Sequence, residues 1–137
     1  MPLDLARLAA SVAITTSIIL LPACAGGSDP PLGETALRGK ALYQANCLSC
    51  HGGSSGGTIR DIPPKHNANG HTWHHADQLI TDIVLNGARI PNYEWKMPAF
   101  KDKLTEADVK AIIEYLKTWW TKEQRDFQAT VTAQHEP

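Results

Sequence analysis

Cys47-Leu48-Ser49-Cys50-His51 restricts this chain more than any other stretch of it. Two thiols three positions apart share one helical turn, and an imidazole follows directly. C-x-x-C-H at this spacing is the pattern of covalent haem attachment. Each thiol can form a thioether to one vinyl group of the porphyrin, and the histidine is then held beneath the iron as an axial ligand. A redox-active C-x-x-C belongs beside a strand–helix–strand pattern, and a zinc site needs a second ligand pair. Neither is present, because the remaining cysteine is Cys24, far upstream. Cys47, Cys50 and His51 are therefore expected to hold one haem, with His51 on its iron.

The opposite face of the iron points to Met97. The chain has two methionines and the other is Met1, so Met97, in Lys96-Met97-Pro98-Ala99-Phe100, is the thioether available as a sixth ligand. Sulfur opposite imidazole favours the reduced metal and raises its potential, which suits a carrier of single electrons. A lone methionine can also be adaptable core filler. Its place in a proline-containing loop before a helix favours the ligand. His66, in the loop after C-x-x-C-H, is the rival for the sixth position and would lower the potential.

The first residues read as a leader. Leu8 to Leu21 is mostly apolar but shorter than the ~20 residues of a spanning helix, and it follows Arg7, so residues 1–23 are expected to be a secretory signal peptide. Leu21-Pro22-Ala23-Cys24 looks like a bacterial lipobox, which would make Cys24 a lipidated first residue and residues 24–33 a flexible tether. Ala23-Cys24-Ala25 also fits an A-x-A cleavage site that would release the protein without Cys24. The lipid reading explains an odd cysteine in an oxidising compartment. A folded domain is expected over residues 34–124 and a loosely ordered tail over 125–137. The net charge of −1 offers no basic stripe for nucleic acid. A domain of about 90 residues buries little apolar surface by itself, so a haem would supply much of the core.

The pattern is helical throughout. Residues 33–45 form one candidate, with Ala36, Leu37, Ala41, Leu42 and Tyr43 apolar, running into the cysteine motif. Residues 76–86 place Leu79, Ile80, Ile83 and Val84 on one face, and Gly87 stands where a left-handed cap is expected. Thr105-Glu106-Ala107-Asp108 has the form of a capping box. After it, Val109, Ile112, Ile113 and Leu116 recur at helical spacing, with Trp119 and Trp120 following. No segment alternates as a strand, so the fold class is all-α.

With these elements in place the chain resembles a class I monohaem cytochrome c over roughly residues 33–124. Gly39 and Tyr43 precede Cys47 as the glycine and aromatic of that family's first helix do, and Ile112, Tyr115 and Leu116 stand where its last helix crosses the first. Pro63-Pro64-Lys65-His66, Gly70-His71-Thr72-Trp73-His74-His75 and Met97-Pro98-Ala99-Phe100 are similar to a subgroup of small bacterial c-type cytochromes. The resemblance implies three or more helices packed around one covalently attached haem c, with Gly39 allowing close approach and Tyr43 meeting Tyr115 edge to face. It also implies that a proline carbonyl, of Pro64 or Pro63, accepts the proximal imidazole N–H, which orients the ring.

The histidines invite a second reading. His71, His74 and His75 fall at i, i+3 and i+4, and on an α-helix they could reach one metal, since imidazoles suit copper or zinc. The protein would then be a periplasmic copper-handling haem protein. Alternatively this loop covers the haem edge, with the Trp73 N–H and an imidazole such as His71 bonding the propionates. An enzymatic use of an open iron lacks a distal acid–base pair. The expectation is therefore a non-enzymatic, monomeric electron carrier in the periplasm or cell envelope. Its partners would be redox proteins such as an oxidase, a reductase or a copper protein.

Overall fold

A computed structural model describes residues 32–56, 64–89, 91, 94 and 96–135. The leader, Cys24, the tether up to Pro31, and Pro63 lie outside the described residues.

Helix α1 (Glu34–Asn46) turns its Ala36, Gly39 and Tyr43 face inward. These positions are three and four apart, the spacing of one helical stripe. Leu37, apolar by type, lies outside the stripe and is exposed. At Cys47 the backbone shifts to φ −118°, and a single turn, α2 (Leu48–His51), follows. The chain returns through a 3₁₀ turn at Thr72–His74 and enters α3 (Asp77–Asn86), which buries Ile80, Thr81 and Val84.

Between α3 and the next helix the expectation of no strand meets a small exception. Ala88–Arg89 (β1) and Lys96–Met97 (β2) pair antiparallel, with Ala88 opposite Met97. Two-residue strands are too short to show an alternating pattern, so sequence periodicity could not reveal them. Gly87 caps α3 at φ +79° and ψ 168°, positive in φ but extended in ψ rather than left-handed helical.

Helix α4 (Glu106–Lys117) starts at the expected capping box. The Thr105 hydroxyl accepts from the Asp108 amide, and the Asp108 carboxylate accepts from the Thr105 amide. It packs along α1. Their shared core holds Tyr43, Val109, Ile112, Ile113 and Leu116, with Ile80 and Val84 from α3 and Trp120 closing one end. Tyr43 meets Tyr115 edge-on at 5.9 Å and Trp119 at 5.2 Å.

The tail corrects the sequence reading. Residues 125–137 are not loosely ordered up to His135. Lys122–Ala133 is a helix, α5, with its own capping box between Thr121 and Gln124. Its fixed point is Gln128, 1% exposed, whose amide donates to the carbonyl of His75, the carboxylate of Asp77 and the hydroxyl of Thr132. A mostly polar helix gives a weak apolar signal, and here polar bonds to the loop beneath hold it down.

Candidate metal centre

The end of α1 and the turn after it present the three residues of the motif. Cys47 is buried and Cys50 exposed. Before haem is attached, burial, with Cys50 nearby, pushes the Cys47 thiol up to about 11. His51 is 7% exposed, and its Nδ1 lies 2.8 Å from the Pro64 carbonyl oxygen. Burial lowers the His51 pKa, opposed by that bond. In a neutral ring whose Nδ1–H donates to a carbonyl, Nε2 is the nitrogen left for a metal.

The turn itself is anchored. The Tyr43 hydroxyl donates to the Gly52 carbonyl at 2.7 Å. Burial, then Cys47 and Tyr115, hold that phenol far above its usual value, so it remains a donor.

His66, the rival for the sixth position, lies against His51 itself. Its ring lies over that of His51 with centroids 4.2 Å apart and planes 30° apart. Two imidazoles on opposite faces of one iron would point at each other across the metal, not lie one over the other. The His66 Nδ1 meets the Thr72 hydroxyl at 2.7 Å, and its carbonyl accepts the Trp120 indole N–H at 2.8 Å. Burial, then His51 and His71, lower its pKa to about 3, which keeps it neutral.

The three-histidine cluster does not assemble as a metal site. Residues 72–74 form a single 3₁₀ turn that ends before an extended His75, so the α-helical face of i, i+3 and i+4 is not built. His71 sits edge-on to His75 at 5.6 Å, while His74 lies against Trp73 at 3.7 Å and near Phe127. Among the described residues no three His, Cys, Asp or Glu side chains are placed to hold a metal ion. The copper reading loses its geometric basis. The Trp73 N–H, expected at a propionate, donates instead to the Gly70 carbonyl at 2.9 Å. His71 remains exposed.

Met97 is half-buried on β2 and packs against the shared core. The strand pair places it, with two bonds that tie the following segment to α3: Phe100 to Val84 at 3.0 Å and Lys101 to Leu85 at 3.1 Å. A shallow cleft of about 450 Å³ opens beside it, lined by Asn86–Arg89 and Lys96–Ala99.

Sequence reasoning did not find the His51–His66 stack, the Tyr43–Gly52 bond or the Gln128 anchor. Thr121-x-x-Gln124 is a readable capping-box pattern, and it was the available signal for α5.

Residues 34–116, more than half of the chain, match the protein family described as Cytochrome C oxidase, cbb3-type, subunit III. The chain belongs to this family of class I c-type cytochromes. It is 29% identical over 121 residues to the chloroplastic cytochrome c6 of Chlamydomonas reinhardtii, spanning 82% of this chain and 71% of that one. It is 29% identical over 85 residues to the cbb3-type cytochrome c oxidase subunit CcoP of Rhodobacter capsulatus. That match covers 59% of this chain but only 28% of CcoP. No solved structure matches significantly.

Haem c is accordingly the covalent cofactor of this cytochrome, and its function is haem-based electron transfer. The residues fit the group. Two thiols stand in one turn, and the imidazole beside them is buried with one nitrogen engaged, leaving the nitrogen a metal needs. The all-α architecture of this family is also the one observed. Among the described residues no helix is long and apolar enough to cross a membrane.

Proposed function

We propose that this cytochrome is a single-electron carrier with His51 and Met97 as axial ligands and thioether links at Cys47 and Cys50. The observation that carries the reading is the His51–Pro64 bond, because it leaves a buried imidazole turned within the C-x-x-C-H motif as an axial ligand would be. The haem supplies an iron that exchanges one electron. The chain's residues supply constancy. The Pro64 carbonyl holds the His51 ring, Tyr43 holds the turn that carries it, and the β1–β2 pair holds Met97. Fixed ligands and a water-poor interior keep reorganisation small when charge changes. The exposed His71 serves as a donor at the haem edge.

In this reading the chain is exported, residues 1–23 are its leader, and a lipidated Cys24 tethers a monomer to the envelope. Its substrates are redox proteins such as an oxidase, a reductase or a copper protein, and it is not an enzyme. The match to an oxidase subunit family favours a second arrangement, in which the domain works docked in an oxidase complex. Transfer rates that fall steeply with salt favour transient docking, and salt-independent rates favour a fixed assembly.

The deciding experiment is the optical spectrum of the ferric protein. A weak sulfur-to-iron charge-transfer band at the red end, lost in Met97→Ala, is the expected result. Its absence from the unaltered protein would overturn the His/Met assignment.

A further inference from the structure

The loop over residues 64–76 meets the motif histidine twice. The Pro64 carbonyl takes its Nδ1–H, and two residues later the His66 ring covers its face. One hydrogen bond fixes a point on an imidazole but leaves the ring free to swing about that point. A flat group against the face removes the swing.

His66 is itself secured from several sides. Its Nδ1 is bonded to Thr72, its carbonyl to the Trp120 indole, and the Tyr43 ring stands edge-on at 6.1 Å. The rest of the loop is clamped by the C-terminal segment. The Gln124 amide donates to the Ala68 carbonyl at 2.9 Å, and Gln128 to the His75 carbonyl at 3.3 Å. The Asp77 amide donates to the Thr132 hydroxyl at 3.1 Å. Trp120, Gln124, Gln128 and Thr132 all lie beyond residue 116, where the family match ends. The segment beyond the family match therefore grips, at the carbonyls of His66, Ala68 and His75, the loop that holds the motif imidazole.

We propose that His66 is a positioning residue that fixes the plane of the His51 imidazole, and that α5 and Trp120 hold His66 in place through the loop. This rests on His51 being an axial ligand. Ring orientation sets how the imidazole π-system overlaps the iron orbitals, and a covered ring face excludes water. Both tune an iron centre without touching it.

The test uses the haem-loaded protein and two readouts that folding alone does not set, the ferric electron paramagnetic resonance g values and the midpoint potential. His66→Ala is expected to shift the g values and lower the potential, since water admitted beside the ring favours the ferric charge. His66→Phe keeps a flat ring and is expected to restore both. Thr72→Val and Gln124→Ala, which loosen His66 without touching His51, are expected to shift both readouts in the same direction by less. Unchanged g values and potential in His66→Ala overturn the proposal, as does a Phe variant that behaves like the Ala variant. If His66→Ala does not accumulate with haem, unchanged readouts in both remote variants overturn it. Failure of the underlying reading looks different, because the unaltered ferric protein would then lack the low-spin signal of an imidazole-ligated iron.

Discussion

Gly39 and Ala111 bring α1 and α4 together backbone to backbone, since a methyl group built on Gly39 would lie 1.8 Å from the Ala111 carbonyl oxygen. Backbone cannot turn aside as a side chain can, so any larger residue pushes the helices apart along their shared core. Gly39→Ala gains about 1 kcal/mol of helix propensity, but overpacking at this contact should cost roughly 3 kcal/mol or more. Net destabilisation in chemical denaturation of the haem-loaded protein is expected, with a lower yield of attached haem. A variant as stable as the parent would mean the helices are not in contact there.

Tyr43 joins the helix pair to the motif. Tyr43→Phe keeps the ring against Tyr115 and Trp119 but leaves the buried Gly52 carbonyl without its partner. Stability should fall by about 1–2 kcal/mol, read from the denaturation midpoint, and the spectrum should remain that of the parent because His51 keeps its bond to the Pro64 carbonyl.

The start of α4 should give the protein an acid-sensitive element. Thr105→Ala removes the hydroxyl that accepts the Asp108 amide, a loss of about 1 kcal/mol. The Thr105 hydroxyl and amide, then Arg38, hold the Asp108 pKa below its ordinary 3.8. A depressed carboxylate stabilises the fold above its unfolded pKa, and that stabilisation is lost as pH falls through the lower folded value. Below about pH 4 the unaltered protein should therefore lose stability more steeply than Thr105→Ala. Parallel pH profiles for the two would show that the box is not ionically coupled.

Gln128 ties α5 to the loop and to α3. Its buried amide reaches the half-buried carbonyl of His75, carboxylate of Asp77 and hydroxyl of Thr132. Gln128→Ala takes the donor from the His75 carbonyl, while Thr132 keeps the Asp77 amide and Asp77 keeps Lys117, and should cost roughly 2 kcal/mol. Limited proteolysis should then cut first within residues 122–133. Unchanged resistance would place the hold on α5 elsewhere.

These contacts show where the sequence was legible. Periodicity found α1, α3 and α4, most clearly α4, where Ile112, Ile113 and Leu116 repeat with the helical turn and bury accordingly. Gly39 and Tyr43 were readable only through the family resemblance, since on their own they are ordinary helix content, and both the close approach at Gly39 and the Tyr43–Tyr115 pair are present. What periodicity missed is held by polar groups. Helix α5 offers one buried glutamine instead of an apolar stripe, and the 3₁₀ turn at Thr72–His74 breaks the register that three histidines had suggested. The His51–His66 stack joins the end of α2 to the following loop, and no local spacing encodes it.

The remaining prediction concerns Gly87, which faces Met97 across the turn into the strand pair. Its φ of +79° excludes most side chains, and a methyl group there would lie 2.8 Å from the Met97 carbonyl oxygen and 3.0 Å from the Ala99 amide. Strain of this kind amounts to about 1–3 kcal/mol, and the strand carrying Met97 is the part able to move, since α3 is packed into the core. Gly87→Ala should thus destabilise the protein and weaken the sulfur-to-iron band together, with rising affinity for an added exogenous iron ligand such as imidazole. Lost stability with a full-strength band would show instead that α3 gives way and that Met97 is held independently of the turn.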